Sequence, residues 1–417
     1  MNTATRDFIE KHLKDDVRQL ALQKFPEDVD KTLVLNQIEA RQLLQKKVPS
    51  WASNPDLLFP KHLSIEQCSS ELTAKYKASI IEGGDTFVDL TGGLGIDSYF
   101  LSEKFKTSYY VENQKELCDL AEHNFSVLGR KITIVNSDAE SFLNDLTSRR
   151  DNACIVLYID PARRDIYNRK MVSLHDCSPD VIELQRNIFQ NLVETFPETS
   201  HRKPSFLIKT SPMLDISLIT NELQNISEIH IVSVKNECKE ILIKIEPGFE
   251  GEIKYFCVNL QNSAVISTGA KRSGEISFEF SENSESSAIS SFAPTIKRYL
   301  YEPNASLMKS GAFKLISQHF GIEKLHVNSH LYTSDNLVSD FPGRIFEVVG
   351  FAPFNKKIKK ELLKDITEAS VATRNFPLSA NDLRKNLNLK ESDETFVFGT
   401  TLIGEKKVVI LCNKHRE

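Results

Sequence analysis

The sequence lacks the features that mark membrane, secreted and metal-binding proteins. It contains no run of eighteen apolar residues, so no membrane-spanning helix is expected. The first residues, Met1–Asp7, have no apolar core of the kind found in secretion signals, so we expect a cytoplasmic protein. The seven cysteines are scattered, without a Cys-x-x-Cys pair or a His-rich tract. This distribution argues against a disulfide framework or a zinc site, and we expect no bound metal.

A strong net charge is also missing. The 417 residues carry a net charge of −5 at pH 7, which does not by itself indicate a nucleic-acid-binding protein. The charge is uneven, because residues 341–417 hold 14 Lys and Arg residues against 10 Asp and Glu residues. A chain of this length exceeds one ordinary hydrophobic core, so we expect two or three domains. The oligomeric state does not follow from these properties.

The apolar patterns divide the chain into four regions. Residues 1–82 repeat apolar side chains at helical spacing and are predicted to form an N-terminal helical region. Residues 83–248 alternate strands with helices. The rest of the chain mixes short strands with helices, which predicts one or two small α+β modules, and we divide it into residues 249–325 and 326–417.

Two local patterns give finer predictions. The capping-box sequence Ser64–Gln67 predicts the start of a helix that runs to Ala78. The polar run Ser281–Ser287 is typical of a loop or of a joint between domains.

The strand–helix alternation of residues 83–248 predicts a parallel sheet covered by helices on both faces. Its last two strands are separated only by residues 235–240, which are too few for a parallel crossover, so they must form an antiparallel hairpin. The predicted fold class is therefore α/β. The seven predicted strands are Phe87–Leu90, Ser108–Val111, Ile132–Val135, Ile155–Ile159, Phe206–Lys209, Ile229–Val234 and Ile241–Ile245.

A glycine-rich turn follows the first predicted strand. The stretch Phe87–Asp97 is an apolar strand that ends in Asp89 and runs through Gly93 and Gly95 into a helix. Glycine permits positive φ and has no Cβ to block a ligand, so this turn suits a nucleotide-like ligand at a helix N-terminus. The alternative is a purely structural strand-to-helix connection.

Four successive strands end in an acidic residue: Asp89, Glu112, Asp138 and Asp160. The carboxyl ends of parallel strands lie at the edge of the sheet where ligands bind, so we expect the four carboxylates around one ligand. Asp89 and the glycines would frame a small cationic or polar group. Glu112 would accept both hydroxyls of a ribose, and Asp138 would accept the amine of an adenine. The alternative for Glu112 and Asp138 is that each caps the helix that follows it.

This arrangement resembles the class I S-adenosylmethionine-dependent methyltransferases, which have a Rossmann-like sheet, over about residues 84–246. Thr91 departs from the pattern, because the family has the first glycine of its acid-x-Gly-x-Gly-x-Gly motif at this position. The resemblance implies that the cofactor is S-adenosylmethionine. The residues that would bind it are Asp89, Gly93, Gly95, Asp97, Glu112 and Asp138.

The fourth strand ends in Asp160-Pro161-Ala162-Arg163, which is similar to the Asp-Pro-Pro-Tyr motif of amino-methylating enzymes. The resemblance implies that Asp160 and the Pro161 carbonyl hold a target amine and that Arg163 helps to position it. Ala162 and Arg163 replace the second proline and the stacking aromatic, and the alternative is a simple strand-ending turn. Lys209 ends the fifth strand at the same edge, without an assigned role.

Further segments resemble a narrower group of these methyltransferases, with a ferredoxin-like insert and a C-terminal THUMP-like domain. Among them are Tyr299–Pro303, Asp340–Arg344 and Leu383–Leu387. THUMP domains bind RNA, so the resemblance implies an RNA substrate, and Phe351–Lys360 interleaves aromatics with four lysines as an RNA-binding surface would. We therefore expect an enzyme that methylates a base nitrogen in structured RNA, tRNA or rRNA. The alternatives are a methyltransferase for a protein or small molecule, and a cofactor-binding RNA module without turnover.

Overall fold

The computed structural model of the chain describes residues 1–60, 62–148, 155–163, 174–188, 204–261 and 276–415. These residues divide into two compact units. The first unit contains the described residues of 1–234, 239–251 and 260–261, and the second contains the described residues of 235–238, 252–259 and 276–415. In this described part of the chain, no helix is both long enough and apolar enough to cross a membrane.

In the described residues 1–60 and 62–83, six helices precede the first strand, and the apolar spacing predicts a helical region there. Four of them begin at a residue whose side chain accepts a backbone N–H of the first turn, a donor that the helix itself leaves free. These four residues are Asn2, Asp16, Asp30 and Ser70. The helices are α1 (Thr3–His12), α2 (Val17–Ala21), α3 (Lys31–Lys47), α4 (Pro49–Ala52), α5 (His62–Gln67) and α6 (Glu71–Ile80).

The single helix predicted from Ser64 to Ala78 is two helices in the structure, so the capping-box prediction was wrong. Ser70 is the residue that caps α6. Ser69, which precedes it, turns inward, and its hydroxyl donates to Asp97 at 2.6 Å. This buried hydrogen bond lies in the segment between α5 and α6.

Among its described residues, the first unit has seven strands of a large sheet, most of them separated by helices. In chain order these elements are β1 (Gly84–Asp89), α7 (Ile96–Leu101), β2 (Phe105–Glu112), α8 (Lys115–Val127), β3 (Thr133–Asn136), α9 (Ala139–Ser148), β4 (Ile155–Ile159), the short antiparallel pair β5 (Ala162–Arg163) and β6 (Cys177–Ser178), α10 (Val181–Ile188), β7 (Ser205–Thr210), α11 (Ile216–Glu222), β8 (Ile226–Val234) and β9 (Glu237–Ile245).

The seven strands have the order β8-β9-β7-β4-β1-β2-β3. β1 pairs in parallel with β2 and β4, β2 with β3, and β4 with β7, whereas β9 runs antiparallel to β7. The turn between β8 and β9 consists of Lys235 and Asn236, whose positive φ angles of 50° and 64° suit a tight hairpin. The predicted α/β sheet with a reversed terminal hairpin is confirmed.

The central strands show why this sheet forms. All five residues of β4 are buried, as expected for a parallel strand covered on both faces. Because β1, β2, β3, β4 and β7 are parallel, their carboxyl ends share one edge of the sheet. The acids that end the first four of these strands are therefore brought to that edge.

The second unit contains an antiparallel pair, a short helix and a seven-stranded sheet. The pair is β10 (Lys254–Leu260) and β11 (Ile276–Ser281), followed by α12 (Glu282–Ser287). The loop prediction for Ser281–Ser287 was therefore wrong. The hydroxyls of Ser286 and Ser287 donate to carbonyls one turn back, an arrangement that serine can make inside a helix.

The remaining elements of the second unit form its sheet and the adjoining helices. They are β12 (Tyr299–Pro303), α13 (Ala305–Ser310), α14 (Phe313–Phe320), β13 (Glu323–Lys324), β14 (Tyr332–Ser334), β15 (Gly343–Pro353), α15 (Ile358–Glu361), β16 (Ser370–Arg374), α16 (Ala380–Leu387), β17 (Thr395–Leu402) and β18 (Lys406–Lys414). The strand order is β13-β14-β12-β15-β18-β17-β16.

Candidate active site

A cavity of about 1040 Å³ opens at the carboxyl ends of the parallel strands. Ligand pockets commonly measure about 300–1000 Å³, so this one has room for a cofactor and part of a substrate. Arg163 lies in β5, and its side chain is outside the described part of the structure. The other eight predicted site residues line the cavity: Asp89, Gly93, Gly95, Asp97, Glu112, Asp138, Asp160 and Pro161.

Two glycines with positive φ shape the turn after β1. Gly95 has φ 81°, and a Cβ there would lie 2.8 Å from the ring of Phe125, so the protein itself excludes a side chain. Gly93 has φ 53° but is open, since the nearest atom to a Cβ would be the Thr91 carbonyl oxygen at 3.8 Å. The hydroxyl of Tyr110 donates to the Gly93 carbonyl at 2.6 Å and holds the turn in place. The backbone at Gly93 is thus fixed and accessible to a ligand.

Asp89 is buried beneath this turn. Its Oδ1 accepts the N–H of Thr91 at 3.0 Å, and its Oδ2 accepts the hydroxyl of Ser98. Burial raises the pKa of Asp89 to about 7, although both hydrogen bonds oppose the shift. Near neutral pH this carboxyl group is therefore divided between its charged and neutral forms, and a cationic ligand would favour the charged form.

Glu112 connects β2 to the glycine turn. Its Oε2 accepts the N–H of Gly93 at 3.0 Å, and its Oε1 accepts the N–H of Gln114 at 2.9 Å. Neither donor lies within α8, so the helix-cap alternative does not describe Glu112. A carboxylate oxygen has two lone pairs, and each oxygen of Glu112 keeps one for a ligand hydroxyl.

Asp138 does cap a helix. Its two oxygens accept the N–H and the hydroxyl of Ser141, both at 2.8 Å, in the first turn of α9. These hydrogen bonds lower the pKa of Asp138. The helix-cap alternative therefore describes Asp138, which lines the cavity as well.

Asp97 belongs to a buried charge network that no sequence motif indicated. Its Oδ2 accepts the hydroxyls of Ser69 at 2.6 Å and Tyr158 at 2.7 Å, while its Oδ1 lies 3.1 Å from Nζ of Lys77. Lys77 is fully buried and donates to both oxygens of Glu240 at 3.0 Å. Burial alone would raise the pKa of Asp97, but the charge of Lys77 and the other partners lower it overall.

The helical pattern of the sequence indicated that Lys77 is buried. Ala74 and Ile80, three residues before and after it on α6, are both buried, so Lys77 lies on the apolar stripe of the helix. A lysine at a buried position needs an acidic partner. The identity of that partner is not visible in the local pattern.

Asp160 is held by two contacts. Its backbone N–H donates to Oγ1 of Thr91 at 2.7 Å, and its Oδ2 accepts from Nζ of Lys209 at 2.5 Å. Burial would lower the pKa of Lys209, but Asp160, Glu240 and Asp97 raise it above the usual value for lysine. Lys209 therefore stays protonated and pairs with the carboxylate of Asp160. Sequence reasoning had left it without a role.

Two family models match the C-terminal part of the chain. One describes a ferredoxin-like domain and matches residues 299–342, and the other describes a THUMP domain-like module and matches residues 343–414. The sequence pattern places the boundary between these modules earlier, after residue 325. No curated protein matches the chain.

Several solved structures are similar to the chain. A candidate methyltransferase from Porphyromonas gingivalis W83 is 32% identical, with a TM-score of 0.82 over 99% of this chain and 98% of that one. An rRNA methylase from Streptococcus thermophilus is 14% identical, with a TM-score of 0.28 over 42% of this chain and 93% of that one. A candidate S-adenosylmethionine-dependent methyltransferase from Streptococcus mutans is 11% identical, with a TM-score of 0.30 over 41% of this chain and 47% of that one.

The last two similarities are too distant to support an argument. The first extends over nearly the whole of both chains, and the two domain models match consecutive segments of the second unit. The chain therefore belongs to the family of class I S-adenosylmethionine-dependent methyltransferases that carry a ferredoxin-like and a THUMP-like domain.

Proposed function

We propose that this chain transfers a methyl group from S-adenosylmethionine to a base nitrogen in structured RNA. One observation carries the proposal: a single cavity is lined both by the acids at the carboxyl ends of β1, β2 and β3 and by Asp160-Pro161 after β4. The first three acids are Asp89, Glu112 and Asp138. They suit the methyl donor, and Asp160-Pro161 suits the amine that receives the methyl group.

The acids fit the polar groups of the cofactor. The open position at Gly93 allows close approach to the backbone. Glu112 keeps one lone pair on each oxygen for the two hydroxyls of a ribose. Asp138 keeps lone pairs for an adenine amine while it caps α9. Asp89, with its pKa near 7, can take the charged form beside an ammonium group.

The residues that face the target would act by aligning its amine with the methyl donor. When bound, S-adenosylmethionine supplies an electrophilic methyl group, and its transfer forms a C–N bond, returns the S–C electron pair to sulfur and releases one amine proton to water. The second oxygen of Asp160 and the carbonyl of Pro161 would accept the N–H groups of the amine and aim its lone pair. Lys209 holds the Asp160 carboxylate in one orientation for this purpose.

The RNA substrate is inferred from the second unit. Its residues 343–414 match the THUMP domain-like model. Within them, Lys356, Lys357, Lys359 and Lys360 are all exposed, and Phe351 is 40% exposed. Exposed lysines and an exposed aromatic ring suit contact with a phosphate backbone and with unpaired bases.

Cofactor binding tests the donor side. In isothermal titration of the full chain with S-adenosylmethionine, Asp138→Ser should bind about tenfold more weakly or worse, because a hydrogen bond to a charged group contributes ~1.5–3 kcal/mol. Serine is also a good N-cap, so α9 should remain capped. Asp30→Ser makes the same change at the cap of α3, outside the cavity lining, and should bind like the wild type. Failure of the wild type to bind S-adenosylmethionine would contradict the proposal.

Methyl transfer tests the acceptor side. The full chain is incubated with labelled S-adenosylmethionine and, in parallel, with total RNA or protein extract from a strain that lacks the gene. We expect label in the RNA, and mass spectrometry of the digested nucleosides should locate it on a base nitrogen. Asp160→Ala should abolish the transfer while S-adenosylmethionine still binds. Label in the protein extract alone would overturn the RNA assignment.

A further inference from the structure

Glu302 joins two sequence motifs that methyl transfer leaves unused. It belongs to Tyr299–Pro303, and its direct partner across the β12–β15 pair is Arg344, the last residue of Asp340–Arg344. Nε of Arg344 donates to Oε2 of Glu302 at 2.7 Å, and Nη2 of Arg344 donates to the same oxygen. The two motifs therefore meet in one ion pair.

A second arginine binds the same carboxylate. Nη2 of Arg374, at the end of β16, donates to Oε1 of Glu302 at 2.6 Å, and its Nη1 donates to the carbonyl of Thr373 at 2.8 Å. The side chain of Glu302 is only 5% exposed, whereas those of Arg344 and Arg374 are 37% and 39% exposed. A buried acid thus holds two guanidinium groups at the surface.

This arrangement has more positive than negative charge. Two guanidinium groups on one carboxylate repel each other, and only one of the two charges is neutralised. An arginine has five N–H donors, and each of these arginines uses two of them in the contacts described, so three remain on each. A second anion at this position would neutralise the remaining charge and use these donors.

The guanidinium groups are also fixed before any ligand binds. That of Arg344 lies over the rings of Phe346 and Phe396, with centroid distances of 5.5 and 5.7 Å. Arg374 is fixed by its two hydrogen bonds. Planar donors that are already oriented match the oxygen pairs of a phosphate group.

Arg374 also acts on His330. Burial and the charges of Lys324 and Arg374 together lower the pKa of His330 to about 4. His330 is therefore neutral at physiological pH.

We propose that Arg344 and Arg374 form a binding site for a phosphodiester group of the RNA substrate. This inference rests on the proposed function, because it takes RNA as the acceptor. Contacts to phosphate fix the position of a nucleic acid without reading its bases. The site would therefore contribute to RNA affinity and not to the choice of the modified nucleotide.

The salt dependence of RNA binding tests the site. A labelled pool of small structured RNA from the gene-deletion strain is bound to the full chain at several salt concentrations between about 50 and 200 mM. Arg344→Gln and Arg374→Gln should each reduce the slope of log affinity against log salt by about one, and should raise KM for RNA in the methylation assay. Arg384→Gln is the matched control, because it makes the same substitution at an arginine that is not paired with a buried acid. The partner of Arg384 is Glu391, whose side chain is 80% exposed. Arg384→Gln should leave the slope unchanged.

Removal of an arginine also takes a partner from the buried Glu302, so a second pair of variants protects the test against misfolding. Arg344→Lys and Arg374→Lys keep the charge opposite Glu302 but lose the bidentate fork, and should weaken RNA binding to a smaller extent. Thermal melting and S-adenosylmethionine affinity report whether each variant is folded. Folded variants with wild-type affinity and slope would overturn the site and leave the methyltransferase proposal intact. A wild type that binds S-adenosylmethionine but no RNA would overturn both the RNA substrate and the site.

Discussion

The hydroxyl of Thr91 accepts a hydrogen bond from the backbone N–H of Asp160 at 2.7 Å. Thr91 stands where the family pattern has a glycine, which could not provide this acceptor. The hydrogen bond joins the turn after β1 to the acid after β4. Thr91, the residue that departs from the glycine pattern, therefore connects the two parts of the proposed site, one for the methyl donor and one for the target.

Thr91→Val should weaken this connection. The partly buried N–H of Asp160 would lose its acceptor, and we expect a loss of ~1 kcal/mol in the free energy of unfolding. Fluorescence of the single, buried Trp51 reports unfolding of the first unit during a urea titration. The methylation kcat should fall several-fold, with little change in S-adenosylmethionine affinity. Thr91→Ser keeps the hydroxyl and should resemble the wild type; an unchanged kcat in the valine variant would contradict the positioning role.

Lys209→Met should slow methyl transfer without preventing cofactor binding. Asp160 would lose the ammonium partner that fixes its carboxylate, and loss of alignment at a reacting group reduces kcat by about tenfold or more. Lys209→Arg retains the charge and should recover part of the rate. Lys244→Met is a suitable control, because Lys244 pairs with Glu228 and Glu246 outside the cavity lining. Equal kcat values for the two methionine variants would show that Lys209 has no such role.

Ionisation of Asp89 should lower the stability of the protein as the pH rises, which is the opposite of the usual effect of an aspartate. Burial raises its pKa to about 7 in the folded chain, whereas an unfolded aspartate titrates near ~3.9. The folded protein therefore retains a proton that the unfolded chain releases between about pH 4 and 7. This contribution to the free energy of unfolding is present below about pH 4 and is lost as the pH rises through 7.

Urea titrations at several pH values, compared between the wild type and Asp89→Asn, measure this contribution. The stability of the wild type relative to the variant should fall as the pH rises from about 4 to 7. Asp138→Asn should show the opposite sign, because hydrogen bonds lower the pKa of Asp138 and its contribution is lost as the pH falls below about 4. If the difference in the free energy of unfolding between the wild type and Asp89→Asn does not change with pH, the raised pKa of Asp89 is excluded.

The two glycines of the turn should respond differently to alanine. Gly95→Ala would place a Cβ 2.8 Å from the ring of Phe125 at positive φ, so we expect ~1–3 kcal/mol lower stability. Gly93→Ala also has positive φ but open space around the Cβ, so only ~1–2 kcal/mol should be lost. If a ligand contacts this backbone, Gly93→Ala should also weaken S-adenosylmethionine binding in isothermal titration. Wild-type cofactor affinity in a folded Gly93→Ala variant would place the ligand elsewhere.

The sheet of the first unit was predictable because its signals are local. The apolar run Ile155–Ile159 coincides with β4, and the short connection between β8 and β9 permits only a hairpin. The acids at the strand ends could also be located, since a parallel sheet brings equivalent strand ends to one edge. Which backbone donors and side chains they bind depends on register and could not be derived in this way.

The ion pairs were not predictable because their members are far apart in sequence. Lys77 and Glu240 are separated by 163 residues, and Arg374 and Glu302 by 72. A buried lysine indicates that an acid is near, but the choice among many acids is made by packing. The helix break before Ser70 has the same origin, because it accompanies the hydrogen bond from Ser69 to Asp97.

Lys77 links the N-terminal helices to the sheet of the first unit. It lies before residue 82, where the sequence pattern places a domain boundary, yet it pairs with Asp97 and Glu240 beyond that boundary. A chain cut at residue 82 would lose Lys77 from this buried network, and loss of one partner from a buried ion pair costs ~3–5 kcal/mol. Excision of the sheet at its first strand should therefore lower the stability of the fragment, and a fragment that keeps α6 should retain this buried ion pair.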